Sequence, residues 1–239
     1  MKQITIIIGL LLAVSANPSN SQEPTLKITG FSEDGEYLAY TLSGEHQGSA
    51  FPFAELHVFN TEEGENEESY FVTDESQSTL PDDLVRAILE NRREVLEEYG
   101  IVIDSRGVPL EFPAMDSPPE GEILHFRLQN PSGGLPEGLY SLDLFETVRD
   151  SSGEYFGMHP AECELNLTMA SGSGNINLLE LSGDSLLRQE VYDFGLEELL
   201  VHPAGVMVVF LSCTVQGFET PETVLLPFAF TEFEELSRG

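Results

Sequence analysis

The chain has 239 residues, 41% of them hydrophobic and 9% aromatic, with 42 Asp and Glu against 10 Lys and Arg, no Trp and two Cys. A formal net charge of −32 describes an acidic exterior rather than disorder, because the apolar residues fall in alternating runs and a chain of this length can bury roughly 70% of its unfolded surface. Such an exterior repels phosphate backbones and anionic headgroups, so the composition speaks against nucleic acid as a partner and for a soluble, monomeric protein.

At the amino end, Met1 and Lys2 precede an apolar run from Ile4 to Leu12 and then Ala13-Val14-Ser15-Ala16, with small residues where a signal peptidase reads. An apolar stretch of about 13 residues is too short to span a bilayer, and no later segment approaches the roughly 20 that a span requires. Residues 1–16 are therefore read as a secretory signal peptide, 17–24 as a polar linker, and 25–239 as a single mainly-β domain in the periplasm or outside the cell. No Cys follows the apolar run, so lipid anchoring is not indicated.

From there short β-type runs alternate with turns: Leu26 to Phe31, Tyr37 to Leu42, Glu55 to Phe59 and Ser69 to Val72. The acidic stretch Asn60 to Ser69 lacks the oxygen-ligand register of a calcium loop and reads as a solvated hairpin tip. One helix is clear. Thr79 can cap it with Asp82 three residues on, Leu84, Val85, Ile88, Leu89, Val95, Leu96 and Tyr99 make one apolar stripe, and Gly100 stops it. On its outer face Asp82 with Arg86, Arg86 with Glu90, and Arg93 with Glu97 stand at ion-pair spacing.

Strands return at Ile101 to Ile103, Glu122 to Leu128, Leu139 to Val148, Cys163 to Met169, Ile176 to Leu181, Leu186 to Tyr192, Leu196 to Val201, Val206 to Cys213 and Thr223 to Phe230. About a dozen short strands with one amphipathic helix predict a mainly β fold of sandwich-like antiparallel sheets. The alternative is an incomplete or small β-propeller-like arrangement, because Phe31 to Tyr40 (FSEDGEYLAY) is similar to the turn-and-strand signature of TolB-type propeller repeats.

Cys163 and Cys213 are the one pair that could form a disulfide in an exported chain. Closing that loop would stabilise by roughly 4 kcal/mol on the chain-entropy model, provided the Cα atoms come within about 7 Å. Otherwise the two act as small buried hydrophobes, and neither has a neighbouring His or basic residue that would make it a nucleophile. No esterase elbow, P-loop or dinucleotide fingerprint occurs. The histidines, at positions 46, 57, 125, 159 and 202, do not stand at metal-ligand spacing, so neither a metal nor a cofactor is implied.

Shifted by about 170 residues, the chain aligns Phe31 to Tyr40 with Val201 to Phe210, matching Gly35 to Gly205. Gln47 to Pro52 (QGSAFP) and Gln216 to Pro221 (QGFETP) likewise share Gln, Gly and Pro at the same spacing, each ahead of a strand. If the two units pair in space they close the sheet together and bring Gln47, Phe51, Phe53, Gln216 and Phe218 to one binding surface. FSEDGEYLAY, QGSAFPFAEL (Gln47 to Leu56), the helix end EEYGI (Glu97 to Ile101) and QGFETP together resemble the bacterial secreted-protein family known as domain of unknown function 2259. The resemblance implies export and no particular reaction. The expected function is that of an exported, non-catalytic β domain binding a protein or other envelope component. A secreted hydrolase using carboxylates with His46 or His159 is the alternative.

Overall fold

The structure, a computed structural model, describes residues 24–46, 49–108, 110, 122–128, 138–148, 158, 160–169, 175–182, 190–217 and 221–231. The fold is mainly β, with three antiparallel sheets and two short helices among those residues. They divide into two compact units: the described residues up to Arg106 with those of Gln216–Thr223, and those of Gly107–Val215 with those from Val224 on.

In the first unit, β1 (Thr25–Phe31), β2 (Tyr37–Glu45), β3 (Pro52–Asn60) and β4 (Glu65–Thr73) form a meander in sequence order. Alternation along the strands gives the sheet two different faces. Ala39 of β2 and Ala54, Leu56 and Val58 of β3 point one way, against α1 (Pro81–Asn91) and α2 (Arg93–Glu98). Leu84, Val85 and Ile88 of α1 and Leu96 of α2 complete this core. The acidic stretch after β3 is a hairpin tip, where the Asn60 side-chain oxygen accepts the backbone N–H groups of Glu62 and Glu63, both at 3.0 Å, and Gly64 takes a φ of 71°.

The helix departs from its sequence reading at its start and in its middle, while Gly100, at a φ of 65°, stops it as expected. Leu80, not Thr79, is the N-cap, with Pro81 supplying the first helical residue, while the Thr79 side chain hydrogen-bonds Asp74 in the preceding turn. The stripe is continuous but the helix is not, since Arg92, at φ −112° and ψ 18°, separates α1 from α2. Arg86 pairs with Asp83 at 3.0 Å instead of Asp82, and the Arg92 guanidinium lies 4.2 Å from the centre of the Tyr70 ring.

The second unit contains the meander β5 (Glu122–Leu128), β6 (Gly138–Val148), β7 (Ala161–Met169) and β8 (Asn175–Ser182). The other sheet has the order β11-β10-β9, from β9 (Val191–His202), β10 (Val206–Val215) and β11 (Glu222–Phe230). β6 and β7 pack against β9, a sandwich-like layering. β10 is the central strand of its sheet and Val206 through Leu211 are all buried, while β11, which carries Pro227, lies on the edge. β9 is longer than the sequence suggested: it runs straight through Asp193-Phe194-Gly195, and register shifts against β10 absorb the irregularity.

The two hairpins matched by the internal repeat lie in different sheets, so they do not close one sheet together. Their turns nonetheless coincide. Gly35 (φ 81°) donates to the Ser32 carbonyl at 3.1 Å, and Gly205 (φ 90°) to the His202 carbonyl at 2.9 Å, each just before a strand.

Leu56 is fully buried between sheet and helix. Leu56→Ala is expected to lower the unfolding free energy by about 2–5 kcal/mol, read as a lower urea midpoint at unchanged slope. A midpoint within experimental error of the parent would contradict this placement of the core.

Candidate functional site

The face of β2–β4 turned away from the helices carries the candidate site. Register sets Tyr40 of β2 opposite His57 of β3, His57 opposite Ser69 of β4, and Glu55 opposite Phe71. Glu55 and His57 are two residues apart on one strand and so project on the same side.

His57 is held from both ends. Its Nε2 lies 2.9 Å from Glu55 Oε2 and its Nδ1 2.9 Å from Ser69 Oγ, while its ring stacks on Tyr40 with centroids 4.9 Å apart. An ionised carboxylate only accepts hydrogen bonds, so Nε2 carries the proton facing Glu55, and in the neutral ring Nδ1 is left to accept from the Ser69 hydroxyl. The side chains of His57 and Glu55 are 11% and 16% exposed, whereas Ser69 is exposed. Tyr40 is buried and its hydroxyl donates to Asn66 Oδ1 at 3.4 Å; burial, more than any neighbouring charge, raises its pKa.

Toward the β2–β3 connection the same face becomes aromatic. The rings of His46 and Phe53 stack at 4.7 Å, His46 and Phe71 lie 5.7 Å apart, and Phe53 and Phe71 6.4 Å apart. Phe53 can lie flat across β2 because its partner there is Gly44, where a Cβ would come within 3.2 Å of the phenyl edge. Phe71 is 49% exposed and Phe53 half-buried. The connection is closed by backbone bonds from His46 N–H to the Phe51 carbonyl and from Ala50 N–H to the His46 carbonyl, both at 2.9 Å.

The residues singled out by sequence are thus distributed as follows. Phe53 joins the ring cluster, Phe51 is half-buried beside it in the chain, and Gln216 is exposed. Gln47, Phe218 and His159 lie outside the described residues. Cys163 of β7 and Cys213 of β10 are buried free thiols. Burial, with Glu146 as the lesser cause, pushes the Cys163 thiol up to about 12. Burial, then Cys163 and Asp193, raises Cys213 as well, so neither is an activated nucleophile. Of the two histidines proposed for a hydrolase, His46 stands in the ring cluster, while the carboxylate and hydroxyl have gathered around His57. Among the described residues no group of three or more His, Cys, Asp or Glu side chains is placed to hold a metal ion, and no helix is long and apolar enough to cross a membrane.

A family described as predicted secreted protein (DUF2259) matches residues 39–229. The chain belongs to this family. No curated protein and no solved structure matches it. Within the DUF2259 match fall Tyr40, His46, Phe53, Glu55, His57, Ser69 and Phe71, so the whole face lies inside the family's region. The family's description places the chain among secreted proteins.

Burial lowers the pKa of His46 from the ordinary 6.5, against an opposing pull from Glu55. The folded ring therefore takes up a proton later than the unfolded one as pH falls, and stability present above about 6.5 is lost on acidification toward the lowered value. The stability advantage of the parent over His46→Gln should accordingly shrink between pH 7.5 and pH 5.5 in urea titrations. An advantage that grows on acidification would show that His46 is stabilised in its charged form.

Proposed function

We propose that the protein is an exported binding module, freed of residues 1–16 on secretion to the periplasm or the exterior, whose His46–Phe53–Phe71 surface receives a basic side chain of an envelope protein. The observation that carries this reading is the ring cluster, half-buried at His46 and Phe53 and exposed at Phe71, with Glu55 opposite Phe71 in register. Phenyl faces and a nearby carboxylate attract guanidinium or ammonium groups, and desolvation beside the rings strengthens both attractions. A net charge of −32 steers the same class of partner from a distance and repels anionic ones. The reading needs no cofactor and is satisfied by a monomer.

Because the chain has no Trp, a short Arg- and Lys-rich peptide carrying one Trp can be titrated by fluorescence without background. Binding at physiological salt should weaken about tenfold in Phe53→Ala and in Phe71→Ala, at nearly unchanged melting temperature for the latter. Equal binding by the double variant, or binding that vanishes with modest salt in every variant, would leave only diffuse charge attraction. A neutral oligosaccharide bound in its place would make the surface a glycan site.

A second reading rests on the Glu55–His57–Ser69 arrangement. A hydroxyl hydrogen-bonded to a histidine that a carboxylate orients is the grouping used for acyl transfer, with Ser69 as nucleophile and His57 as base. Hydrolysis of small aryl esters that Ser69→Ala and His57→Gln both abolish, with covalent labelling of Ser69 by a phosphonate, would establish it. Residual hydrolysis unaffected by either substitution would assign the three residues a packing role.

A further inference from the structure

The two thiols of the second unit stand in a specific spatial relation. Cys163 on β7 is the register partner of Glu146 on β6, and Cys213 on β10 is the register partner of Phe194 on β9. The Phe194 backbone N–H donates to Glu146 Oε2 at 3.1 Å, and β6 and β7 both pack on β9. The cross-strand neighbours of the two cysteines thus touch across the sheets. Residues opposite each other in an antiparallel pair are about 4.5–5.5 Å apart at Cα and project on the same face. Cys163, at 3% exposure, and Cys213, at 0%, are both buried on these neighbouring strands, and Cys163 is among the causes that raise the Cys213 thiol.

We propose that Cys163 and Cys213 form an intramolecular disulfide in the secreted protein, tying the β5–β8 sheet to the β9–β11 sheet. Inter-sheet bridges of this kind join the two layers of immunoglobulin sandwiches. Secretion brings the chain into an oxidising compartment. The oxidant is a disulfide, either that of a dithiol oxidoreductase or of a small thiol such as glutathione. One cysteine thiolate attacks it, forming a mixed disulfide and releasing one carrier thiol. The second cysteine attacks the mixed disulfide and releases the other. The two cysteine sulfurs lose two electrons, the carrier disulfide gains them, and the two thiol protons end on the carrier thiols. Both side chains are sealed from solvent in the folded state, so the exchange takes place while the chain is still open.

The test uses the full chain, reduced and unfolded, then refolded in a buffer of reduced and oxidised glutathione, quenched in acid, and alkylated in denaturant before mass measurement. The expected product is a monomer two hydrogens lighter than the reduced chain that takes up no alkyl group until reductant is added, and then takes two. Proteolysis without reductant should yield one joined pair of peptides containing Cys163 and Cys213. Reductant applied in denaturant before refolding should lower the melting midpoint by about 10 °C, a shift absent from the Cys163→Ala, Cys213→Ala double variant. Two alkyl groups without reductant, a reductant-sensitive dimer, or glutathione adducts on separate cysteines would each overturn the bridge. A midpoint indifferent to reduction would overturn its role as a tie between the sheets.

Discussion

The burial of one face of β2–β4 beneath the helices is the constraint on which the candidate site depends. Because side chains alternate along a strand, placing Ala39, Leu56 and Val58 under α1 and α2 obliges Tyr40, Glu55 and His57 to project on the other side. A slip of one residue would put a histidine and a carboxylate into the apolar core, at a cost of several kcal/mol for each unpaired polar group. The hydrophobic packing on one face therefore enforces the polar geometry on the other. Ser69 enters the arrangement through the same register, which carries from β3 to β4.

The two units solve the problem of interior chemistry differently. In the first, a nearly buried imidazole is satisfied at both nitrogens, and its carboxylate partner retains some contact with solvent. In the second, the strand at the centre of its sheet is apolar from Val206 through Leu211, and the Cys213 thiol it carries, like Cys163 on β7, is kept neutral by burial. Among the described residues no buried side-chain nitrogen or oxygen lacks a hydrogen-bond partner. The acidic excess is carried instead on such positions as Glu65, Glu67 and Glu68 of the edge strand β4, where repeated charge also discourages pairing with another sheet edge.

Much of this architecture was legible in the sequence, because period-2 and period-3.6 patterns are local. The first four strands and the apolar stripe of the helix follow from residue spacing alone. What was not legible depended on contacts distant in the chain. Asp193-Phe194-Gly195 reads as a break, yet β9 continues through it because Glu146, 48 residues earlier, accepts the Phe194 N–H and β10 accommodates the irregular register. Thr79 has the chemistry of an N-cap, but Asp74 claims its side chain. At the site, Glu55 and His57 form a visible pair at strand spacing, while the choice of Ser69 required knowing how the hairpin closes. The sequence offers His46 as a candidate histidine for a carboxylate-using hydrolase; the structure sets its ring against those of Phe53 and Phe71.

The repeated turn shows how little of the site is dictated by local backbone form. Gly35 and Gly205 close the same kind of turn with the same hydrogen bond, and each leads into a strand rich in apolar residues. The strand after Gly205 is buried at every position from Val206 through Leu211, so both of its faces there are committed to packing. The strand after Gly35 belongs to a sheet with only one face beneath the helices, leaving the other to carry Tyr40 and, across the ladder, His57 and Glu55. Chemical capacity arises here from the sheet face turned away from the helices, where Tyr40 and His57 are buried and Phe71 is exposed, not from the hairpin. The exposed side chains on that face, such as Phe71, can be exchanged with small consequence for the helix-facing core, which is the condition under which one β scaffold can carry different binding surfaces.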